Sequence, residues 1–306
     1  MARGTKTVSF LLTTYNHEQF VREALRSVFA QVWDEPLDVH ISDDCSTDGT
    51  WAIVEQEVAA YQGPFRVSAH RNTANMGPML HMVEAMDRCA GDLLVRGHGD
   101  DIQRPERTRR TVQVFRETGA SLISSNALRI DDRWRPGELI LEPGPSGPVP
   151  LAQVAKARWT WHMLGATFSW SKRMLDVFGW FEPALLGSGG DHVLPFRAAM
   201  LGGFHYVSDV LLDWRVHDGQ VTRRLTGQQS DPRVFANLHN RHNLGPVMQR
   251  LRDVRTLAAR MPDGKAKLAP LESIVLGTMV DAVDEWVRSD AVLRHAGKRP
   301  DWVDKT

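Results

Sequence analysis

Residues 7–17 read TVSFLLTTYNH, and this stretch together with its neighbouring segments predicts the fold. Its first part, residues 7–14, is a short run of β-branched and apolar residues without alternation, which predicts a strand buried on both faces. Residues 18–30 place apolar side chains at helical spacing, which predicts a helix that Asn16 could cap. A second strand, LDVHIS at residues 37–42, runs into the turn-rich segment DDCSTDG at residues 43–49. This strand–helix–strand order predicts a parallel pair of strands.

The alternation of strands and helices continues, which predicts an α/β fold with a mostly parallel sheet covered by helices on both faces. Ligands bind such sheets beyond the carboxyl ends of the strands. The polar clusters that follow the first, second and fourth strands are therefore the places to search for a site. The later predicted strands are residues 65–70, 92–95, 121–125 and one or two within 204–216, and the later predicted helices are residues 50–61, 78–90, 171–178, 191–201 and one from about 105.

The pattern changes along the chain and predicts two parts. We expect a first domain over residues 1–225, with one half at about 1–130 and another at about 131–225, followed by a helical extension over residues 226–306. The extension could pack against the first domain, form a homodimer contact or rest on a membrane. Its acidic residues disfavour a basic membrane-surface helix.

Composition excludes several classes of protein. Among 306 residues there are 37 basic and 37 acidic ones, so the net charge is zero and no nucleic-acid partner is expected. Two cysteines cannot build a disulfide framework and fit a reducing compartment. No apolar run approaches the roughly 20 residues of a membrane span. We expect a cytoplasmic protein that could contact the inner face of the membrane without crossing it.

Three acidic clusters lie where elements of the predicted sheet end. They are Asp43–Asp44, Asp100–Asp101 within GHGDD, and Asp191 within SGGDH. Aspartates are common in turns and at helix N-termini, so a structural role is an alternative for each cluster. Adjacent carboxylates repel each other, however, and a hard divalent cation relieves the repulsion. The doublet near residue 100 is therefore a candidate metal site.

The order of the motifs resembles a family 2 glycosyltransferase of the GT-A fold. The resemblance covers roughly residues 7–222 and rests on TTYNH, SDDCSTDGT, GHGDDIQRPER, GGDH and WRVH in sequence. It implies an enzyme that transfers a sugar, with inversion, from a nucleotide sugar to a hydroxyl acceptor, with Mn²⁺ or Mg²⁺ as cofactor. A UDP-sugar is the favoured donor, and the acceptor would be a glycan, a glycolipid or a small molecule, as in polysaccharide biosynthesis.

The resemblance also implies which residues hold the donor. Thr13 and Tyr15 match the positions that line the nucleobase pocket, and Asp44 matches the carboxylate that accepts a hydrogen bond from the base. Asn75 lies where the family often contacts the donor. Arg215 matches an Arg-x-His element near the pyrophosphate.

The reacting centre is implied in the same way. Asp101 matches the metal ligand, with His217 completing the metal shell, and Asp100 would face the ribose or a metal-bound water. Asp191 matches the catalytic base, which takes the proton of the acceptor hydroxyl. His98 stands where many members have the first aspartate of the motif, and it could be a hydrogen-bonding spacer.

Aromatic residues precede the predicted base. Trp159, Trp161 and His162 could bind the acceptor, because aromatic rings suit the apolar faces of sugars; the alternative is that the tryptophans build core. Gly190 stands where the family usually has Glu, and flexible glycines there would let the backbone approach the sugar.

Three other functions fit the sequence less well. A nucleotidyltransferase acting on sugar phosphates can share the architecture, but it needs a glycine-rich basic loop where this chain has TYNH. A non-catalytic nucleotide-sugar-binding or scaffold protein is the second alternative, and the presence of Asp101 and Asp191 disfavours it. A dehydrogenase is disfavoured, since no GxGxxG follows the first strand.

Overall fold

The computed structural model describes residues 7–141, 144–156, 164–182, 189–220 and 232–295 of the chain. In these ranges the strands are β1 Val8–Thr14, β2 Asp38–Asp43, β3 Arg66–Arg71, β4 Leu93–His98, β5 Ile102–Gln103, β6 Leu122–Asp131, β7 Pro136–Leu139, β8 Gly147–Val149, β9 Ser169–Ser171 and β10 Phe204–Val216. The helices are α1 Val21–Phe29, α2 Thr50–Ala60, α3 Pro78–Asp87, α4 Arg107–Thr118, α5 Leu151–Lys156, α6 Arg173–Phe178, α7 Leu194–Leu201, α8 Pro232–Arg260 and α9 Gly264–His295. Short 3₁₀ turns span Gly165–Thr167 and Gly189–His192.

The strands form one sheet in the order β3-β2-β1-β4-β9-β6-β10-β5, with β7 beside β6 and β8 beside β10. The first four are parallel neighbours, as the sequence predicted. The short strand β9 is antiparallel to both β4 and β6 and joins this half to the parallel pair β6–β10. The α/β prediction is confirmed, and the sheet is mixed because β9 and the flanking short strands run antiparallel.

Apolar side chains cover both faces of the sheet, which explains why β1 lacks alternation. Phe10 and Leu12 of β1 pack with α1, α2 and α4, whereas Leu11 packs with α3 on the opposite face. The core on the α3 side also contains the fully buried Trp170 and residues of α7. Burying a strand on both faces requires the near-continuous apolar run seen in its sequence.

The C-terminal helices α8 and α9 pack against the rest of the chain. Four of their residues lie in the same core as Trp170, namely Val247, Val254, Leu271 and Val275. A buried ion pair reinforces the contact, with Arg197 of α7 donating to both oxygens of Asp253 at 2.7 and 2.8 Å. Of the alternatives for the extension, packing against the first domain is what the structure shows. In the described part of the chain no helix combines the length and apolarity needed to cross a membrane.

One element boundary differs from the sequence prediction for a clear reason. The first helix was expected from residue 18 with Asn16 as its cap, but α1 begins at Val21. Asn16 adopts a positive φ of 53°, and its side-chain oxygen accepts a hydrogen bond from the Thr47 N–H at 2.8 Å. The amide therefore stabilises the loop after β2, and it is not available to cap α1.

Candidate active site

The carboxyl ends of β1, β2 and β4 meet at one edge of the sheet. Thr13 lies opposite His98 in the register of β1 and β4, and its carbonyl accepts a hydrogen bond from the Gly99 N–H at 2.9 Å. The Asp44 N–H donates to the carbonyl of Thr14 at 3.0 Å. Parallel strands end on the same side, so the turns that follow them lie next to each other. The three polar clusters predicted from the N-terminal half thus share an edge.

Asp44 is almost entirely buried, with 2% exposure, and its carboxylate already has three partners. It accepts hydrogen bonds from Asn72 Nδ2 at 2.9 Å, the Met76 N–H at 3.0 Å and the Gly77 N–H at 2.9 Å. Asn75 contacts the carbonyl of Asp44 at 3.4 Å. Asp44 thereby anchors the chain that leads into α3, a role that the sequence pattern did not indicate.

Tyr15, predicted to line the nucleobase pocket, is exposed at the end of β1. Its side chain shows 37% exposure, which is high for an aromatic residue beside a buried strand. An exposed aromatic ring at the sheet edge is available to a planar ligand.

Asp100 forms the centre of a cluster with two histidines. Its Oδ2 lies 3.1 Å from Nε2 of His217 and 3.7 Å from Nε2 of His17. Burial raises the pKa of the Asp100 carboxyl, but the nearby His17, the hydrogen bond with His217 and the charge of His98 outweigh it and hold that pKa well below its usual range. Burial lowers the pKa of His17.

Asp101 is the more deeply buried member of the doublet, with 1% exposure. Its Oδ1 accepts a hydrogen bond from the Arg215 N–H at 3.0 Å, and its Oδ2 lies 3.4 Å from Nδ1 of His98. Burial and the neighbouring charge of Asp100 raise the pKa of the Asp101 carboxyl. The doublet therefore holds two carboxylates at the cost of mutual repulsion, a state that a bound cation stabilises.

Two overlapping sets of side chains could hold a metal ion. One is His17, Asp100 and His217, and the other is His98, Asp100 and Asp101; within each set the ligand atoms lie within 4.8 Å of one another. The predicted ligands Asp101 and His217 belong to different sets, and Asp100, which was expected to face the ribose or a metal-bound water, belongs to both. Neither His17 nor His98 was predicted as a ligand, although His17 closely follows β1 and His98 replaces an acidic position.

Arg215 was expected near a pyrophosphate, and the structure places it beneath the doublet instead. Its side chain is fully buried between the rings of Phe20 and Trp134, 4.8 and 4.5 Å from their centroids. The guanidinium donates to the carbonyl of Asp100 at 2.9 Å and to Glu23 at 3.0 Å. Because its hydrogen bonds are used by protein groups, this side chain is not open to a pyrophosphate in this conformation, and it supports the backbone of the doublet.

Asp191 lies in the 3₁₀ turn before α7 and contacts strand β4. Its Oδ1 accepts a hydrogen bond from Nη1 of Arg96 at 2.9 Å, across 95 residues of sequence. Arg96 and His98 are two residues apart on β4, so their side chains point to the same face of the sheet. Since His98 contacts Asp101 and Arg96 contacts Asp191, two residues on one face of β4 link the two acidic centres.

The glycine that replaces the usual acid before Asp191 is explained by packing. A Cβ on Gly190 would lie 2.4 Å from Cε of Met79, the second residue of α3. Gly190 is buried, and a larger residue there would have to displace the flexible end of the Met79 side chain. Gly77, just before α3, donates its N–H to the Asp44 carboxylate at 2.9 Å. Helix α3 therefore contacts both the turn of Asp191 and the predicted nucleobase pocket.

Two buried arginines support the turns around Asp191. Arg250 of α8 donates to the carbonyl of His192 at 3.1 and 2.7 Å, and burial lowers the pKa of its guanidinium to about 10. Arg107 of α4 donates to the carbonyl of Ala166 at 3.0 Å, and burial lowers the pKa of its guanidinium to about 9. Neither role was predictable from the sequence, because nothing local distinguishes these two residues from surface arginines. The predicted acceptor residues Trp159, Trp161 and His162 lie outside the described residues.

Comparison with known sequences identifies a family. Residues 9–178, more than half of the chain, match the model of Glycosyl transferase family 2. A relative described as a putative glycosyltransferase, EpsE of Bacillus subtilis, is 28% identical over 151 residues, which are 49% of this chain and 52% of that protein. The chain spans between 27% and 52% of the length of the first curated relatives that it matches.

Comparison with solved structures finds the same fold. TarS of S. aureus, crystallised with UDP-GlcNAc, superimposes with a TM-score of 0.62 at 18% identity and covers 93% of this chain and 83% of the TarS chain. The mannosyltransferase PcManGT of Pyrobaculum calidifontis, in complex with GDP-Man and Mn²⁺, superimposes with a TM-score of 0.52 at 14% identity over 95% of this chain and 76% of that chain. At these identities the likeness shows the fold.

Proposed function

Because the chain belongs to Glycosyl transferase family 2, we propose that it transfers a sugar from a nucleotide sugar to a hydroxyl acceptor, with inversion and with the help of a divalent cation. The observation that carries this proposal is that Arg96 and His98, two residues apart on β4, contact Asp191 and Asp101 respectively. We infer that a diphosphate held at the doublet and a hydroxyl held at Asp191 could reach the same sugar.

The nucleoside would lie at the ends of β1 and β2. Thr13 and Tyr15 line the first strand end, and Asn75 contacts the turn of Asp44. A carboxylate has about four lone-pair sites, of which Asp44 uses three, so one remains for the N–H of a base. A uridine base is the favoured occupant by resemblance to the family, and TarS, the structural neighbour with UDP-GlcNAc, supports it as an analogy of fold.

The donor set at the doublet fits a divalent cation. Asp100 supplies a carboxylate oxygen to two sets, one with the imidazoles of His17 and His217 and the other with the His98 imidazole and the Asp101 carboxylate. Mixed imidazole and carboxylate ligands favour Mn²⁺ over Mg²⁺, because Mg²⁺ takes oxygen ligands almost exclusively. When bound, such a cation supplies positive charge against the diphosphate as it leaves. Arg215 supports the doublet, because its guanidinium donates to the Asp100 carbonyl and its backbone N–H donates to the Asp101 carboxylate.

Asp191 would act as the general base. The oxygen of the acceptor hydroxyl forms a bond to the anomeric carbon, the bond from that carbon to the diphosphate oxygen breaks with its electron pair, and the hydroxyl proton passes to a carboxylate oxygen of Asp191. Attack opposite the leaving group in a single displacement inverts the anomeric centre. The carboxylate is 34% exposed, so a hydroxyl can reach it from the solvent side.

A calorimetric panel tests the proposal. UDP, GDP and dTDP are titrated into the protein with and without Mn²⁺, and release of the diphosphate from the corresponding nucleotide sugars is then measured. We expect one base to bind tightly, to require the cation, and to define a donor that is turned over. Absence of nucleotide binding with and without Mn²⁺ would contradict the proposal and favour a scaffold protein. Binding without any turnover of nucleotide sugars would leave a nucleotide-binding protein and contradict the enzymatic part.

A further inference from the structure

A charged residue interrupts the apolar strand β4 at the point where it passes Asp191. Leu93, Leu94 and Val95 are fully buried, and Arg96 follows them with only 12% of its side chain exposed. An arginine in such a position loses hydration and requires a polar partner. Among the described residues, the side-chain hydrogen bond of Arg96 goes to Asp191, while its Nε is buried without a partner.

The backbone at Gly165, which also contacts Asp191, leaves no space for a side chain. A Cβ built on Gly165 would lie 1.8 Å from Oδ2 and 2.0 Å from Cγ of Asp191, so the carboxylate occupies the space that any other residue at 165 would fill. Gly165 belongs to the 3₁₀ turn that Arg107 holds through the carbonyl of Ala166. Asp191 is therefore enclosed by a guanidinium on one side and by a side-chain-free backbone on the other.

We propose that Arg96 is a positioning residue: its guanidinium, together with the bare face of Gly165, fixes the Asp191 carboxylate where it receives the proton of the acceptor hydroxyl. This inference rests on the proposed function and extends it to two residues outside the predicted site. The charge-assisted bond orients one carboxylate oxygen and leaves the carboxylate accessible. Displacing a reacting group by about 1 Å can cost about a hundredfold in rate, so small losses of this geometry are measurable.

The first experiment uses Arg96→Ala and Arg96→Lys. We expect Arg96→Ala to lower kcat by about a hundredfold, with little change in the KM of the donor and in the calorimetric affinity for the nucleoside diphosphate with Mn²⁺. Added guanidinium, at concentrations that do not denature the protein, should restore part of kcat, whereas urea of similar size should not. Arg96→Lys should retain more activity than Arg96→Ala, because it keeps a positive charge. The matched control is Arg110→Ala, which removes another partly exposed pair, with Asp209 at 2.7 Å, and should respond to neither additive.

The second experiment uses Gly165→Ala. The added methyl group must displace the Asp191 carboxylate, so kcat should again fall while diphosphate binding with Mn²⁺ persists. Gly147→Ala is the control, since a Cβ at that position has nothing within 4 Å and should leave kcat unchanged. Thermal unfolding of each variant separates a local effect from a loss of folding.

The outcomes distinguish the inference from the function on which it rests. Normal kcat in both Arg96→Ala and Gly165→Ala, with an active parent protein, overturns the positioning role and leaves the proposed function intact. A fall in kcat that guanidinium does not relieve, together with an equal fall in diphosphate affinity, also overturns it, since that indicates general disruption. A parent protein that turns over no nucleotide sugar overturns the proposed function itself, and the inference with it.

Discussion

The two acidic centres of this protein both contact side chains of β4 but lie in different environments. At the doublet, side-chain exposure is 9% for Asp100 and 1% for Asp101, and histidines surround both. At the other centre, Asp191 is 34% exposed and pairs with one arginine. A deep cluster of carboxylates and imidazoles suits a cation that stays in place, whereas an open carboxylate suits a group that must receive a proton from a substrate. The difference assigns different chemistry to residues of the same type.

Asp191→Asn should have the largest effect, because it removes the proposed base without changing the doublet. We expect kcat to fall by about 10²–10⁴-fold, the usual contribution of a general base. The affinity for nucleoside diphosphate with Mn²⁺, measured by calorimetry, should not change. If nucleotide affinity falls as steeply as kcat, Asp191 and the doublet do not have the separate roles proposed for them.

Asp101→Asn should weaken the binding of Mn²⁺, in contrast to Asp191→Asn, which should lower kcat and leave nucleotide binding unchanged. We expect Mn²⁺ affinity to fall by more than about a hundredfold, beyond the effect typical of residues that only support a ligand. The metal-free variant should unfold at a temperature equal to or above that of the parent, because burial and Asp100 raise the pKa of Asp101 and the substitution removes that repulsion. Metal titration and thermal unfolding of the metal-free proteins provide the measurements. A marked loss of metal-free stability would contradict this account of the doublet.

Arg215→Lys should have a smaller effect at the same end of the site. Lysine keeps the charge but cannot reproduce the planar fork that contacts both the Asp100 carbonyl and Glu23. We expect Mn²⁺ affinity to fall by about 10–100-fold, as for residues that orient metal ligands. Arg110→Lys, on the far side of α4, is the control and should bind Mn²⁺ normally. If Arg215→Lys binds Mn²⁺ with unchanged affinity, Arg215 does not support the metal ligands.

The smallest expected effect concerns the stability of the metal-free protein as pH changes. Burial lowers the pKa of both His17 and His81 below the unfolded value of about 6.5. The unfolded chain therefore binds more protons below that pH, so this part of the stability is present above about pH 6.5 and is lost as the pH falls. Thermal unfolding measured across this range should show a falling midpoint. The fall of the unfolding midpoint with decreasing pH should be shallower in His81→Gln. An identical fall would show that His81 does not contribute to the pH dependence of stability.

Much of the fold was predictable because its cause is local. The run at residues 7–14 and the turn at residues 43–49 identify a parallel half-sheet, and a parallel half-sheet necessarily brings Thr13, Asp44 and Asp100 to one edge. Periodicity could not reveal β9, since three residues of antiparallel strand have no distinctive pattern. Nor could it show that Asn16 contributes to a loop rather than to a helix cap.

The sequence by itself determined which side chains could do chemistry: the doublet at residue 100, the isolated Asp191 and the polar ends of the strands. Only the tertiary structure decided their partners. Arg96 meets Asp191 across 95 residues, Arg215 meets Asp101 across 114, and Arg250 of the C-terminal helices holds the carbonyl beside the predicted base. Local sequence fixes the backbone geometry of each element, but contacts between distant elements depend on how both faces of the sheet are packed, and that packing involves the whole chain.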